Sequence, residues 1–182
     1  MNNKLARPRI LVVDDHVGNR LALEYLLEGE YLVDLADSGA AALELATKQT
    51  YAVILLDVRM PMMDGFQTAE LLRKNPRAQD TAIIFTSAHD QSDAKVARGY
   101  QVGGTDYLLS PIDADLLKLK MRTYVRMYLR IEALRIHINR LTNLLQTLQL
   151  EANRRPDEGV LLAQIAELEE VVADMQREMV PA

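Results

Sequence analysis

Cysteine is absent from all 182 residues, which excludes disulfides, thiolate nucleophiles and cysteine-ligated metals and agrees with a reducing compartment. Nor is there an apolar run near the roughly 18 residues that a membrane span requires. The opening segment MNNKLARPRILVVDD breaks its short apolar run with two aspartates, so it does not read as a secretory signal. A cytoplasmic protein without a membrane partner is the expectation. Positive charge is in deficit, with 21 Lys and Arg against 26 Asp and Glu, so the chain as a whole has no general attraction to nucleic acid. What is present, 49% hydrophobic and 26% charged residues, is the balance of a folded soluble chain. The length suits one domain of ordinary size plus an appendage.

The charges are segregated along the chain. From Lys118 to Arg140 there are seven bases and one acid, Glu132, whereas from Asp157 to Glu178 there are seven acids and one base, Arg177. The apolar pattern also changes character along the chain. Ile10 to Val13, Leu32 to Leu35, Ala52 to Leu56, Ala82 to Phe85 and Tyr107 to Leu109 are short apolar runs too brief for helices and read as buried strands. Arg20 to Leu27, Ala40 to Ala46, Phe66 to Leu72 and Asp93 to Val102 have helical spacing. Five strands alternating with helices predict an α/β domain with a doubly wound parallel sheet and right-handed crossovers.

In a sheet of order 2-1-3-4-5, ligands bind beyond the carboxyl ends of the strands where the order reverses, between strands one and three. Asp14 and Asp15 close the first strand and Asp57 the third. Three carboxylates gathered there repel one another unless a cation binds among them. An all-oxygen site suits a hard divalent ion, magnesium above all. One such aspartate alone would read as a helix N-cap.

The segments ILVVDD, LLDVRMPMMDG, Thr86-Ser87-Ala88 and DYLLSP, in this order and spacing, resemble the receiver domains of two-component response regulators over about residues 8 to 125. The resemblance implies a flavodoxin-like five-stranded sheet and makes Asp57 the phosphoacceptor, fed by a histidine kinase, a phosphotransfer protein or a small phosphodonor. Asp14, Asp15 and Asp57 would hold Mg2+ together with the backbone carbonyl of Arg59. Ser87 matches the hydroxyl that turns toward the phosphoryl group, and Tyr107 the aromatic switch. Pro61, Asp64 and Gly65 match the loop into the third helix, where a turn and a helix start are their main role. One position departs from the family: Ser110 stands where lysine usually precedes the proline. A short neutral hydroxyl replaces a fixed charge there, which puts the coupling between phosphorylation and conformational change in question.

After Pro111 the pattern becomes that of a long helix. The chain divides into a receiver at residues 1–125, a long helix at 113–153 that continues from the last receiver helix, and a second, acidic amphipathic helix at 156–180. Tyr124, Ile131, Ile138 and Leu145 recur every seven residues, with Met127, Leu134, Leu141 and Leu148 three positions on, the spacing of a coiled-coil core and of a homodimer. Pro156, followed by two acids, suits the first turn of the second helix, whose own seam is Leu161, Ile165, Leu168, Val172, Met175 and Met179. Arg130 and Arg135 would oppose their own copies in a parallel coil. Folding the acidic helix back on the basic one, as half of a four-helix dimer, avoids this.

Three functions follow as expectations. The first is a non-enzymatic signalling protein in which the receiver modulates a helical output or partner surface. The second is the regulatory part of a larger signalling enzyme, a diguanylate cyclase or histidine kinase, although the chain holds no such catalytic motif. The third is a DNA-binding regulator, disfavoured because no helix-turn-helix follows the receiver and leucines and tyrosines interrupt its basic stretch.

Overall fold

A computed structural model describes residues 7–88, 93–152 and 159–178. The chain forms two compact units that divide between Tyr128 and Leu129.

In the first unit β1(Arg9–Val13), β2(Leu32–Ala36), β3(Val53–Asp57), β4(Ala82–Ala88) and β5(Asp106–Ser110) make one sheet in the order β2-β1-β3-β4-β5. Every neighbouring pair is parallel. The class is that expected from the alternation of strands and helices, and the order is that of the flavodoxin-like sheet the resemblance implies. The register sets Ile10 beside both Val33 and Val53, and Asp57 beside Thr86. Both faces are covered, which is why the central strands are apolar throughout instead of alternating.

One face buries Leu11, Val13, Ile54, Leu56, Ile83 and Phe85 against Ala42 and Ala46 of α2(Gly39–Lys48) and Phe66 and Leu72 of α3(Gly65–Arg73). Side chains alternate across a strand, so Ile10, Val12, Leu55, Ile84 and Leu108 face the other way and are equally buried. The right-handed crossover from β1 to β2 puts α1(Val17–Leu27), with Leu23 and Leu27 buried, on that second face. The helix that follows β5 buries Leu117, Met121 and Val125 at a spacing of four residues. Side-chain caps start α2 and α3. The Ser38 hydroxyl accepts the Ala41 N–H at 3.3 Å. Asp64 and Gln67 form a reciprocal capping box at 2.7 and 3.0 Å, the helix-start role read for Asp64 from its sequence.

That last helix, α5(Ala114–Ala152), continues into the second unit, where α6(Gly159–Glu178) joins it. Among the described residues there, Ile138 and Leu145 of α5 are buried with Ile165 and Val172 of α6, one cluster drawn from both helices. Since only residues 153–158 lie between the helices, a shared cluster makes them antiparallel neighbours. The proposed first turn at Pro156 lies outside the described residues, as does Met179. Among the described residues, no helix is long and apolar enough to cross a membrane.

Candidate functional site

The carboxyl ends of β1 and β3 open into a cleft of about 560 Å³, lined by Asp14, His16, Asn19, Asp57, Arg59, Thr86, Ser110 and Pro111, with Ala22, Leu23 and Leu26 of α1 as one wall. The topology thus gathers residues nearly a hundred positions apart.

Asp14 is buried and held from three directions. Its carboxylate accepts the His16 N–H at 2.8 Å and the Asn19 amide at 2.9 Å, and its carbonyl accepts the Arg20 guanidinium at 2.6 Å. His16 is the N-cap of α1, and its Nδ1 lies 3.0 Å from Asp15 Oδ1. Potential ligand atoms of Asp14, Asp15 and His16 lie within 4.8 Å of one another. Asp57 ends β3. Its carboxyl is pushed up to about 6, first by burial and then by the neighbouring charge of Asp14, with the Arg59 and Val58 N–H groups opposing the shift and Asp15 adding to it. A carboxylate so disfavoured by its neighbours, beside a second one fixed in place, is the donor set of a hard divalent cation. Magnesium therefore fits these residues.

Glycine is required beside Asp57. A side-chain carbon on Gly65 would come within 2.3 Å of the Asp57 carbonyl oxygen, so the chain can return past Asp57 only without a side chain there.

Of the residues expected at the switch, Ser110 lines this cleft, whereas Ser87 and Tyr107 are not among its lining residues. Ser110 lines it together with Asp14 and Asp57, and the permanent cation among the lining residues is Arg59. Thr86 is the β4 hydroxyl residue of the lining. Ser87, one position on and facing the other side of the strand, is buried and pairs with Leu109 of β5. Tyr107 stacks between Phe85 at 5.3 Å and Tyr100 at 5.7 Å. Its hydroxyl donates to the carbonyls of Lys95 and Val96 in α4(Asp93–Gln101). Burial, the largest cause, raises its pKa. Gly99 makes room for that hydroxyl, since a side-chain carbon there would lie 1.6 Å from it.

Of the residues expected to form a dimer core, Tyr124 donates its hydroxyl to Asp106 at 3.0 Å, beside the Lys120 ammonium on the same carboxylate. Ile138 and Leu145 are buried against α6. Met127, Ile131, Leu134, Leu141 and Leu148 are exposed. His16, Asn19 and Arg20 are site residues that sequence reasoning missed. Their signal was modest: a histidine directly after the aspartate pair and two polar groups in the next turn of helix.

Residues 10–122 match the response regulator receiver domain model. The chain is 38% identical over 128 residues to the response regulator PleD of Caulobacter vibrioides, covering 70% of this chain and 28% of PleD. It thus spans under a third of that relative's length. Among solved structures it is similar to the Vibrio cholerae chemotaxis protein CheY4, with 33% identity and a TM-score of 0.61 over 64% of this chain and 98% of that one. It is also similar to the receiver domain of the sensor histidine kinase PA1611 from Pseudomonas aeruginosa, a structure with a magnesium ion coordinated in its active-site cleft. That match has 28% identity and a TM-score of 0.61 over 66% of this chain and 98% of that one.

Proposed function

The chain belongs to the response-regulator receiver family, and from that premise we propose that it is a phosphoacceptor signalling protein. Asp57 takes the phosphoryl group, and a magnesium ion is held by Asp14, Asp15, Asp57 and the backbone carbonyl of Arg59. The modified receiver acts on partners through its C-terminal helices. The observation that carries this reading is the Asp57 carboxyl, raised to about 6 by burial and by Asp14 at the reversal point of the sheet.

The roles of the residues follow from the geometry. His16 N–H and Asn19 fix the Asp14 carboxylate so that it faces the cleft without searching rotamers. The N–H groups of Val58 and Arg59 orient the Asp57 carboxyl for attack. Magnesium, when bound, neutralises the oxygens of the transferring group. Arg59 supplies the positive side chain in a cleft where Ser110 offers only a hydroxyl. The donor is a histidine kinase or phosphotransfer protein. Exposed Val17, Leu21 and Tyr25, four residues apart on α1, give such a partner an apolar strip on the helix that walls the cleft.

Incubation with magnesium and acetyl phosphate should place an acid-labile phosphate on the wild-type chain and none on Asp57→Asn, as read by intact-mass spectrometry. An unmodified wild type, under conditions that label an ordinary receiver, would overturn the proposal.

A further inference from the structure

Two sides of the α5–α6 hairpin differ in kind. Thr142, Gln149 and Glu169 each follow a buried interface residue by four positions, and together with Gln146 and Ala173 they line one cleft of about 240 Å³. Equal offsets on the two helices thus fall on the same side of the pair, as antiparallel geometry demands. Leu141, Leu148 and Leu168 each follow a buried residue by three, and Leu144 and Val171 each precede one by one. By the same geometry these five share the opposite side. They are 39–52% exposed, a contiguous apolar face of a size that lone surface leucines do not make.

We propose that this face docks the same face of a second copy of the chain, closing a four-helix dimer whose two-fold axis runs parallel to the helices. Charge selects both the occupant and the axis. Within the second unit α5 carries Arg130, Arg135 and Arg140 against the acids Glu132 and Glu151, the latter in its last turn, while α6 carries Glu167, Glu169, Glu170, Asp174 and Glu178 against the single base Arg177. A surface with one basic and one acidic arm is complementary to itself after rotation, the condition for an isologous interface. An axis parallel to the helices lays α5 of each copy over α6 of the other. A perpendicular axis would lay arginine over arginine. The interface is not the eight-residue heptad seam of the sequence, because Ile138 and Leu145 are already spent inside the hairpin. The proposal stands whether or not Asp57 is phosphorylated.

Sedimentation of the full chain should give a dimer. Leu141→Glu combined with Leu168→Glu should raise its dissociation constant by about 100-fold or more with helix content unchanged by circular dichroism. If the glutamates cost helix, Leu141→Ser with Leu168→Ser keeps the test. Thr142→Glu with Gln149→Glu, on the opposite side, should leave the dimer intact. Arg140→Glu should weaken association, and adding Glu167→Arg to the same chain should restore it. A monomer at roughly 100 µM, or a dimer that survives the Leu141 and Leu168 changes, overturns the proposal; the second result would point to a parallel coil through Ile131 and Ile138. Failure of the charge swap to restore association overturns the stacking of α5 on α6.

Discussion

The receiver unit and the hairpin unit bury apolar residues in different ways. In the sheet, Ile10, Leu11, Val12, Ile54, Leu56, Ile83, Ile84 and Phe85 are all inaccessible, covered by helices on both faces. Among the described residues of the hairpin, the buried cluster has four members, and most leucines remain in contact with water. α5 takes part in both units and changes its habit at the boundary. Its buried residues recur every four positions at Leu117, Met121 and Val125, then seven positions apart at Ile138 and Leu145. A two-layer contact such as a helix pair covers one stripe, whereas a helix lying on a sheet is covered across a wider arc. The receiver therefore completes its own core. The hairpin leaves a face for something else.

The sharpest test of that contrast compares two leucines. Leu55→Ala, at the centre of β3, should cost about 4 kcal/mol, near the upper end for cavity-forming changes. Leu145→Ala should cost about 2 kcal/mol, near the lower end, because a helix pair can close around a lost side chain. Urea unfolding followed by circular dichroism measures both. Equal costs would mean that the hairpin is as fully packed as the sheet.

Next in size is the contact under α4. Gly99→Ala should displace the Tyr107 ring from its place between Phe85 and Tyr100 and cost about 1–3 kcal/mol for the forced rearrangement. The near-ultraviolet tyrosine signal should shift, while the oligomeric state, which belongs to the other unit, should not. An unchanged signal would show that α4 can yield instead.

The smallest effect concerns the acidic cleft. The Asp57 carboxyl titrates at about 6 in the folded chain against an ordinary value of 3.8, so the folded form holds its proton more tightly than the unfolded form. Its favourable contribution is present below the unfolded value and lost as the pH rises through about 6. Asp57→Asn should then stabilise the metal-free protein at neutral pH. Solvent screening at this partly open site reduces the gain to about 1 kcal/mol. Thermal melts should show the gain fading as the pH falls toward about 4. A gain that persists at low pH would locate its origin in packing instead of charge.

Much of the site was legible in the sequence because strand ends are marked by composition. Apolar runs closed by Asp14, Asp15 and Asp57 announced both the strands and the acids that the sheet order would bring together. The capping role of Asp64 was equally local, since it needs only the next turn of chain. His16 and Asn19 were not legible as partners of Asp14, because their contact depends on how α1 leaves β1. Ser87 and Thr86 were adjacent hydroxyl residues at a strand end, and only the pleat of β4 decided which of them lines the cleft.

By itself, the sequence determined the alternation of strands and helices, the parallel sheet it entails, the aspartates at the strand ends and the change of pattern after Pro111. These depend on side-chain periods of two and 3.6 residues and on short-range turn chemistry, which are local properties. Tertiary structure decided how the eight heptad residues were divided. Tyr124 bonds Asp106 within the receiver, Ile138 and Leu145 meet α6, and Leu141 and Leu148 stay exposed. A heptad states only that a stripe is to be buried. Which surface buries it depends on competition among all the apolar faces the chain brings near, and that is settled only when they pack.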